Sequence, residues 1–467
     1  MFVFLLIYLA SFVISVRDVI TGKTASVLTF IIFGLSLYYT AMSVAFILGL
    51  AKVIPVFQVF KELLIILAFI TNILRLKSRP RLHLIDYLIL IYFGYLCSYA
   101  ILPIGQQSFG EKLVALKSHS FYLVVYFTAR LTDIKEVYIS KYFNYIIILA
   151  IAAGVVLTGE LVVGAHLQTF TGYADYSYYF FNFEPEGNFR LNWTFESDGG
   201  VPRHASFFTS PLEFATATVF GLATILGLFT DDRNKLRINE WGIAALGATL
   251  LAILFAISRA PLASYGLVVY VYALVTKKKK IISAVHAIVL LGALYVAYLF
   301  LGISASQKGL TEVLMNTIDF SDPSSAGHVI QWVIGIMAMV SHPLGLGLGS
   351  SGRVAGSIGE TIGGENQFII IGVQAGIIAL LLYLTIYVMF IKKSIGWLLV
   401  LKGKERKLCL TVLLMKVGIL ISLFTSEVES SSYVSYLNWF FSGLLISTVM
   451  QYHAVSNAAP STKLLNA

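Results

Sequence analysis

Glu365, Arg203 and Arg259 are the residues of this chain best placed to do chemistry, because each stands at the edge of an apolar run. Glu365-Asn366 closes a polar, glycine-rich stretch that begins at Gly327 and opens the next apolar segment. A carboxylate at the lip of a membrane helix is costly unless something uses it. Held beside a hydroxyl that attacks a carbon centre, it can take the leaving proton, a contribution of typically ~10²–10⁴-fold. Burial at such a lip is expected to raise its pKa. The bland alternative is that Glu365 only complements the start of the helix that follows.

The two arginines suit a different task. Arg203 precedes the apolar run from Ser210, and Arg259 sits in the tight Ser258-Arg259-Ala260-Pro261 corner between two others. A guanidinium stays charged and binds phosphate oxygens with a two-pronged fork, which fits a diphosphate at a membrane boundary. Snorkelling to lipid headgroups is the competing explanation. Lys117, inside an apolar run, is a further phosphate candidate, whereas Lys61 and Lys416 are expected to snorkel or pair. His328 and Trp332 share a helical face four residues apart, and His342-Pro343 followed by alternating glycines through Gly349 should stop that helix and let backbone approach a ligand. The eight histidines are dispersed without ligand spacing, so no metal site is expected, and no phosphate-cradling GxxxxGK[ST] loop occurs.

These positions must be held by a membrane framework. With 58% hydrophobic and 12% charged residues among 467, and a mean hydropathy of +0.84, the chain lacks the polar surface a water-soluble globule needs. Apolar segments suited to spanning helices cover 2–16, 25–50, 53–74, 84–102, 114–130, 142–163, 210–230, 240–257, 261–276, 281–302, 366–391, 408–426 and 434–451, giving an all-α polytopic protein of about twelve or thirteen spans. The first is short for a span but has no cleavage pattern after it, and reads as a retained helix. The net charge of +9 comes from Lys/Arg clusters at 75–81, 130–141, 233–237, 277–280 and 392–407. All fall on one side when the spans alternate, which is the cytoplasmic side by the positive-inside rule, so the charge reads as a topology signal and nucleic acid is not expected as a partner.

Two long loops, 164–209 and 303–365, then fall on the opposite face of a single membrane domain. The first is rich in tyrosine, tryptophan and acids, a composition that serves either an interfacial belt or a sugar-binding surface. The second begins with Ser304 to Phe320, whose spacing suits an amphipathic helix lying on the surface. The tail, 452–467, is polar and expected to fray on the cytoplasmic side. Cys97 and Cys409 lie in apolar runs and read as small core residues.

Four groups of residues, taken in order, resemble the O-antigen ligase and polysaccharide polymerase superfamily, membrane glycosyltransferases of the GT-C type. They are Arg203 with Phe207-Phe208 and Pro211 to Ala215; Ser258-Arg259; His328, Trp332, His342-Pro343 and Gly345-Leu346-Gly347; and Glu365-Asn366 with Gly376 eleven positions on. The ligase members usually carry histidine where Glu365 stands and arginine where His328 stands. The resemblance implies a bacterial inner-membrane enzyme acting at the periplasmic face without metal or cofactor. Its donor would be an undecaprenyl-diphosphate-linked oligosaccharide and its acceptor a glycan, with membrane lipids around it and a chain-length regulator as a further partner. Arg203, Arg259 and Lys117 would bind the diphosphate, Glu365 would act as base, and His328, Trp332, His342 and Asn366 would support it. Polymerisation of repeat units for O-antigen, capsule or exopolysaccharide is the first expectation, with transfer of finished glycan by a ligase the alternative. A flippase for lipid-linked sugars is a third reading, of another class.

Overall fold

The computed structural model describes residues 1–197, 200–300, 323–358 and 362–458. These are helical throughout, with no strand among them and only two isolated bridges, Glu196 to Pro202 and Thr230 to Leu236. Over its described residues, every apolar segment expected from the sequence lies largely in a helix, and 25–50 lies in a broken one, Thr24–Leu35 followed by Tyr38–Ile47 at 57°. The first helix runs Phe2–Ile20, longer than expected, and the last continues past Gln451 to Ala458. The surface helix expected at 304–320 lies outside the described residues.

Among the described residues, seven helices are long and apolar enough to cross a membrane by length and composition, or eight if the bent pair is one span. Glu240–Phe255 is apolar but has 16 residues, about 24 Å of helix against a hydrocarbon thickness of about 30 Å. Phe109–Arg130 has the length but carries Glu111, Lys112, Lys117 and Arg130. The chain is a multi-pass membrane protein by this measure.

Pro211–Phe229 and Gly403–Thr425 form the centre, with 83% and 78% of their apolar windows buried, whereas Phe2–Ile20 and Ile54–Leu74, at 28%, face outward. Between apolar helices in lipid, association depends on close packing and small residues. Gly443 provides this where Ser432–Ala458 meets Phe109–Arg130, since a Cβ there would strike the Tyr126 carbonyl.

Contacts divide the bundle into two ends. At one, Arg75 donates to the Gly22 carbonyl, Arg130 to Asp86 (3.1 Å) and to the Arg81 carbonyl, Arg406 to Asn234, and Gln451 to Asp133. The basic loops therefore gather together, as the alternation of spans requires. At the other end lie 102–112, the 164–209 loop, the Ala256–Arg259 corner and the segments around Arg353, Glu365 and Glu427, joined by the contacts described below.

Gln367–Trp397 is not one helix but two, broken at Gly376 (φ 79°, ψ 177°). A broken helix leaves backbone groups unpaired, which apolar surroundings tolerate only when protein supplies partners. The 343–349 loop supplies them: Leu346 and Gly347 donate to the carbonyls of Val373 and Gln374, and Ile377 donates to that of Pro343. A Cβ on Gly345 would lie 2.6 Å from the Gly376 nitrogen. Gly345 thus admits the broken helix, and Gly347 admits the backbone of Ile104 and Gly105.

Candidate functional site

Glu365 is positioned by three local devices. Gly335 of the helix Pro323–Ser341 lies so close to Gly363 that a Cβ on Gly363 would stand 2.5 Å from the Gly335 Cα. Gln331 Oε1 accepts from the Gly364 N–H (3.2 Å), which fixes the next residue's backbone. Glu365 itself has φ 70°, in the left-handed region that costs a non-glycine residue unless its surroundings impose it. The helix beyond is capped by Asn366, whose side chain accepts from Phe368 and Ile369 N–H at 3.0 and 3.2 Å. Glu365 is therefore released from the capping role that competed with a chemical one.

Its carboxylate reaches back to His328, with Oε2 2.8 Å from Nδ1, although the ring N–H is not aimed along that line. The side chain is 59% exposed against 29% for His328. The His328 contact holds the Glu365 carboxyl below the usual glutamate range, and partial burial opposes this only in part. The raised pKa expected from sequence is thereby overturned: the group is not buried deeply enough for desolvation to win, and an imidazole stands beside it. Trp332 lies one turn from His328, half-buried, its indole Nε1 without a hydrogen-bond acceptor. His342 is exposed just beyond the far end of that helix, about 21 Å along its axis from His328 at ~1.5 Å per residue. The structure therefore joins Glu365, Asn366 and His328 and leaves His342 apart.

Arg203 and Arg259 meet through the same corner. Arg203 Nε donates to the Ala256 carbonyl (3.3 Å), His204 N–H donates to that of Phe255 (3.1 Å), and Arg259 begins the helix Arg259–Val275 just beyond. Arg203 N–H also donates to the Phe195 carbonyl (2.8 Å), and Phe195 packs edge-on against Tyr173, which leans on Tyr39. Tyr173, Leu191, Phe195 and Ala205 form a small separate core in the 164–209 loop, while Tyr178, Tyr179, Phe183 and Trp193 remain exposed. The loop is thus part framework and part open aromatic surface.

Between the two groups stands Arg353, which the sequence reading did not single out. It lies in the short helix Gly352–Ile358, exposed, with its N–H on Glu427 Oε2 (2.7 Å). Its guanidinium is close enough to Tyr39, Tyr173 and Glu213 to act on them electrostatically. Neighbouring Ser351 donates to the Ile362 carbonyl (2.6 Å), three residues before Glu365. Arg203, Tyr173, Arg353 and Glu365 thus all lie at the end away from the basic loops, with Arg353 acting on Tyr173 by charge and Ser351 bonded to the segment that leads into Glu365. Nothing in the linear sequence marks Arg353 except a positive charge in a glycine-rich stretch.

The intramembrane lysines take other roles. Lys117 Nζ sits 2.6 Å from Glu62 Oε1, a pair between the helices Phe109–Arg130 and Ile54–Leu74. Lys61 lies over the Tyr38 ring at 4.3 Å. Lys416 neither snorkels nor makes a direct ion pair: it is fully buried in a box of Trp439, Tyr387 and Phe390 at 3.9, 4.6 and 4.8 Å. No protein-family model and no curated protein matches the chain.

Proposed function

We propose that this protein is a glycosyltransferase of the polysaccharide-polymerase kind, joining polyprenyl-diphosphate-linked oligosaccharide units at the membrane face opposite the basic loops. The observation that carries the reading is the exposed Glu365–His328 pair at the same end of the bundle as Arg353 and the corner that holds Arg203 and Arg259. By the positive-inside rule that end faces away from the cytoplasm.

The chemistry follows from the donor set. An acceptor sugar hydroxyl attacks the anomeric carbon of the donor; the new C–O bond forms as the bond to the diphosphate oxygen breaks, and its electron pair leaves with the diphosphate lipid. Glu365, a carboxylate that the His328 contact keeps ionised to lower pH, takes the hydroxyl proton, while the arginines neutralise the charge gathering on the diphosphate. In-line attack inverts the anomeric configuration. Lys117 is set aside as a phosphate ligand because Glu62 already neutralises it. The exposed aromatic surface of the 164–209 loop offers faces on which sugar rings can stack.

The test is the polymer profile, on gels, of a null strain complemented with wild type, Arg203→Ala or Arg259→Ala. The proposal expects single repeat units from the null strain and a collapsed ladder from both variants. Long polymer persisting on carrier lipid in the null strain would instead make the protein a ligase, and donor trapped on the cytoplasmic face would make it a flippase.

A further inference from the structure

Glu160, His166 and His204 lie far from any ligand motif in sequence, yet the fold brings them together at the root of the 164–209 loop. Glu160 is in the last turn of Ile139–Val163, His166 follows the turn at Gly164, and His204 comes from the other end of the loop, next to Arg203. All three are buried, at 4%, 1% and 4% exposure. Their donor atoms lie within 4.8 Å of one another.

Two features of the cluster call for a ligand. Neither ring nitrogen of His166 has a hydrogen-bond partner, although the ring is wedged edge-on between Phe189 and Phe195 with no access to solvent. A buried imidazole left without any partner is uncommon, because a ring nitrogen denied both water and protein is destabilising. His204 Nδ1 also lacks an aligned hydrogen bond, at 3.3 Å from Glu160 Oε2. The carboxylate, by contrast, is already oriented: Oε1 accepts from the Leu167 N–H (2.8 Å) and Oε2 from the Ser206 N–H (3.2 Å). Fixed outer-shell donors of this kind aim a ligating group.

We infer that Glu160, His166 and His204 form a zinc site that ties both ends of the 164–209 loop to the helix beneath it. Two imidazoles and one carboxylate make a borderline donor set that suits zinc and is a poor match for calcium or magnesium, which take oxygen ligands. Tetrahedral zinc with arms of about 2.0 Å places its ligands roughly 3.3 Å apart, so the three donors close by at most about 1.5 Å on loading. The site is separate from the sugar-transfer step; it fixes the loop that carries Arg203.

The full-length protein, purified in detergent without a histidine tag, is stripped with EDTA, incubated with zinc chloride, desalted and assayed for metal by mass spectrometry. Wild type should retain about one zinc per chain, and Glu160→Gln and His166→Phe at least tenfold less, roughly as loss of a ligand implies. His286→Ala, which alters a surface histidine bonded to Tyr270, should retain zinc as wild type does. Cobalt in place of zinc should give wild type the visible absorption of a tetrahedral N/O site, a readout that survives even where a variant fails to fold. Wild type left with less than about a tenth of an equivalent, or zinc held equally by wild type and a folded Glu160→Gln, would overturn the site. In the first case Glu160 and His204 form an ion pair only, and in the second the metal is adventitious.

Discussion

Two glutamates at the same end of the bundle are treated in opposite ways. Glu429 is 4% exposed and saturated: Tyr383 and Tyr387 donate to Oε1 at 2.7 and 3.0 Å, Trp439 reaches both oxygens at 2.9 and 3.0 Å, and Ser435 adds a further hydroxyl. Its charge also acts on Lys416 in the aromatic box. Glu365, with 59% of its side chain exposed, has a single imidazole beside it and spare acceptor capacity. A carboxylate with every lone pair occupied holds helices together, and one with vacant lone pairs can take a proton from something that arrives.

The contrast can be broken by exchanging the outcomes of two substitutions. Glu365→Gln is expected to lower transfer by about 10²–10⁴-fold while leaving thermal stability in detergent unchanged. Glu429→Ala is expected to do the reverse first, lowering stability by about 3–5 kcal/mol because buried donors and the Lys416 charge lose their counterpart. Thermal unfolding followed with transfer rates at a permissive temperature separates them. Equal loss of stability in both would dissolve the distinction.

Smaller effects sharpen it. Arg353→Ala should raise KM for a diphosphate-linked donor roughly tenfold, about 1.4 kcal/mol, without moving kcat as far. The pH profile reports His328. Because Glu365 is depressed in the folded protein, its carboxylate is present across neutral pH and is lost only as pH falls through that lowered value. In His328→Phe the acid limb should therefore move up, toward the ordinary glutamate value of 4.5. An unmoved limb would show that the imidazole does not tune the base.

The helices were legible because an apolar run long enough to approach a span has few alternatives, and the Lys/Arg clusters added their common end. Gly376 and the Gly345 series were legible as breaks but not as partners, since the hydrogen bonds from Leu346 and Gly347 to Val373 and Gln374 depend on how the two segments meet. Arg353 escaped notice for the same reason: its significance comes from Tyr39, Tyr173 and Glu213, which are remote in sequence. The sequence reading of Glu365 had the direction of its shift wrong, because its exposure and its contact with His328 are set by the approach of Gly335 to Gly363. His166 and His204 looked dispersed only because 37 residues of loop separate them along the chain.

The most direct measurement is transfer by the purified protein, supplied with polyprenyl-diphosphate-linked repeat units in detergent and followed for both products at once. The account predicts a ladder of lengthened glycan and diphosphate lipid released in step with each new linkage. Release of the lipid without any new glycosidic bond, or no turnover of donor by a folded wild-type protein, would contradict it.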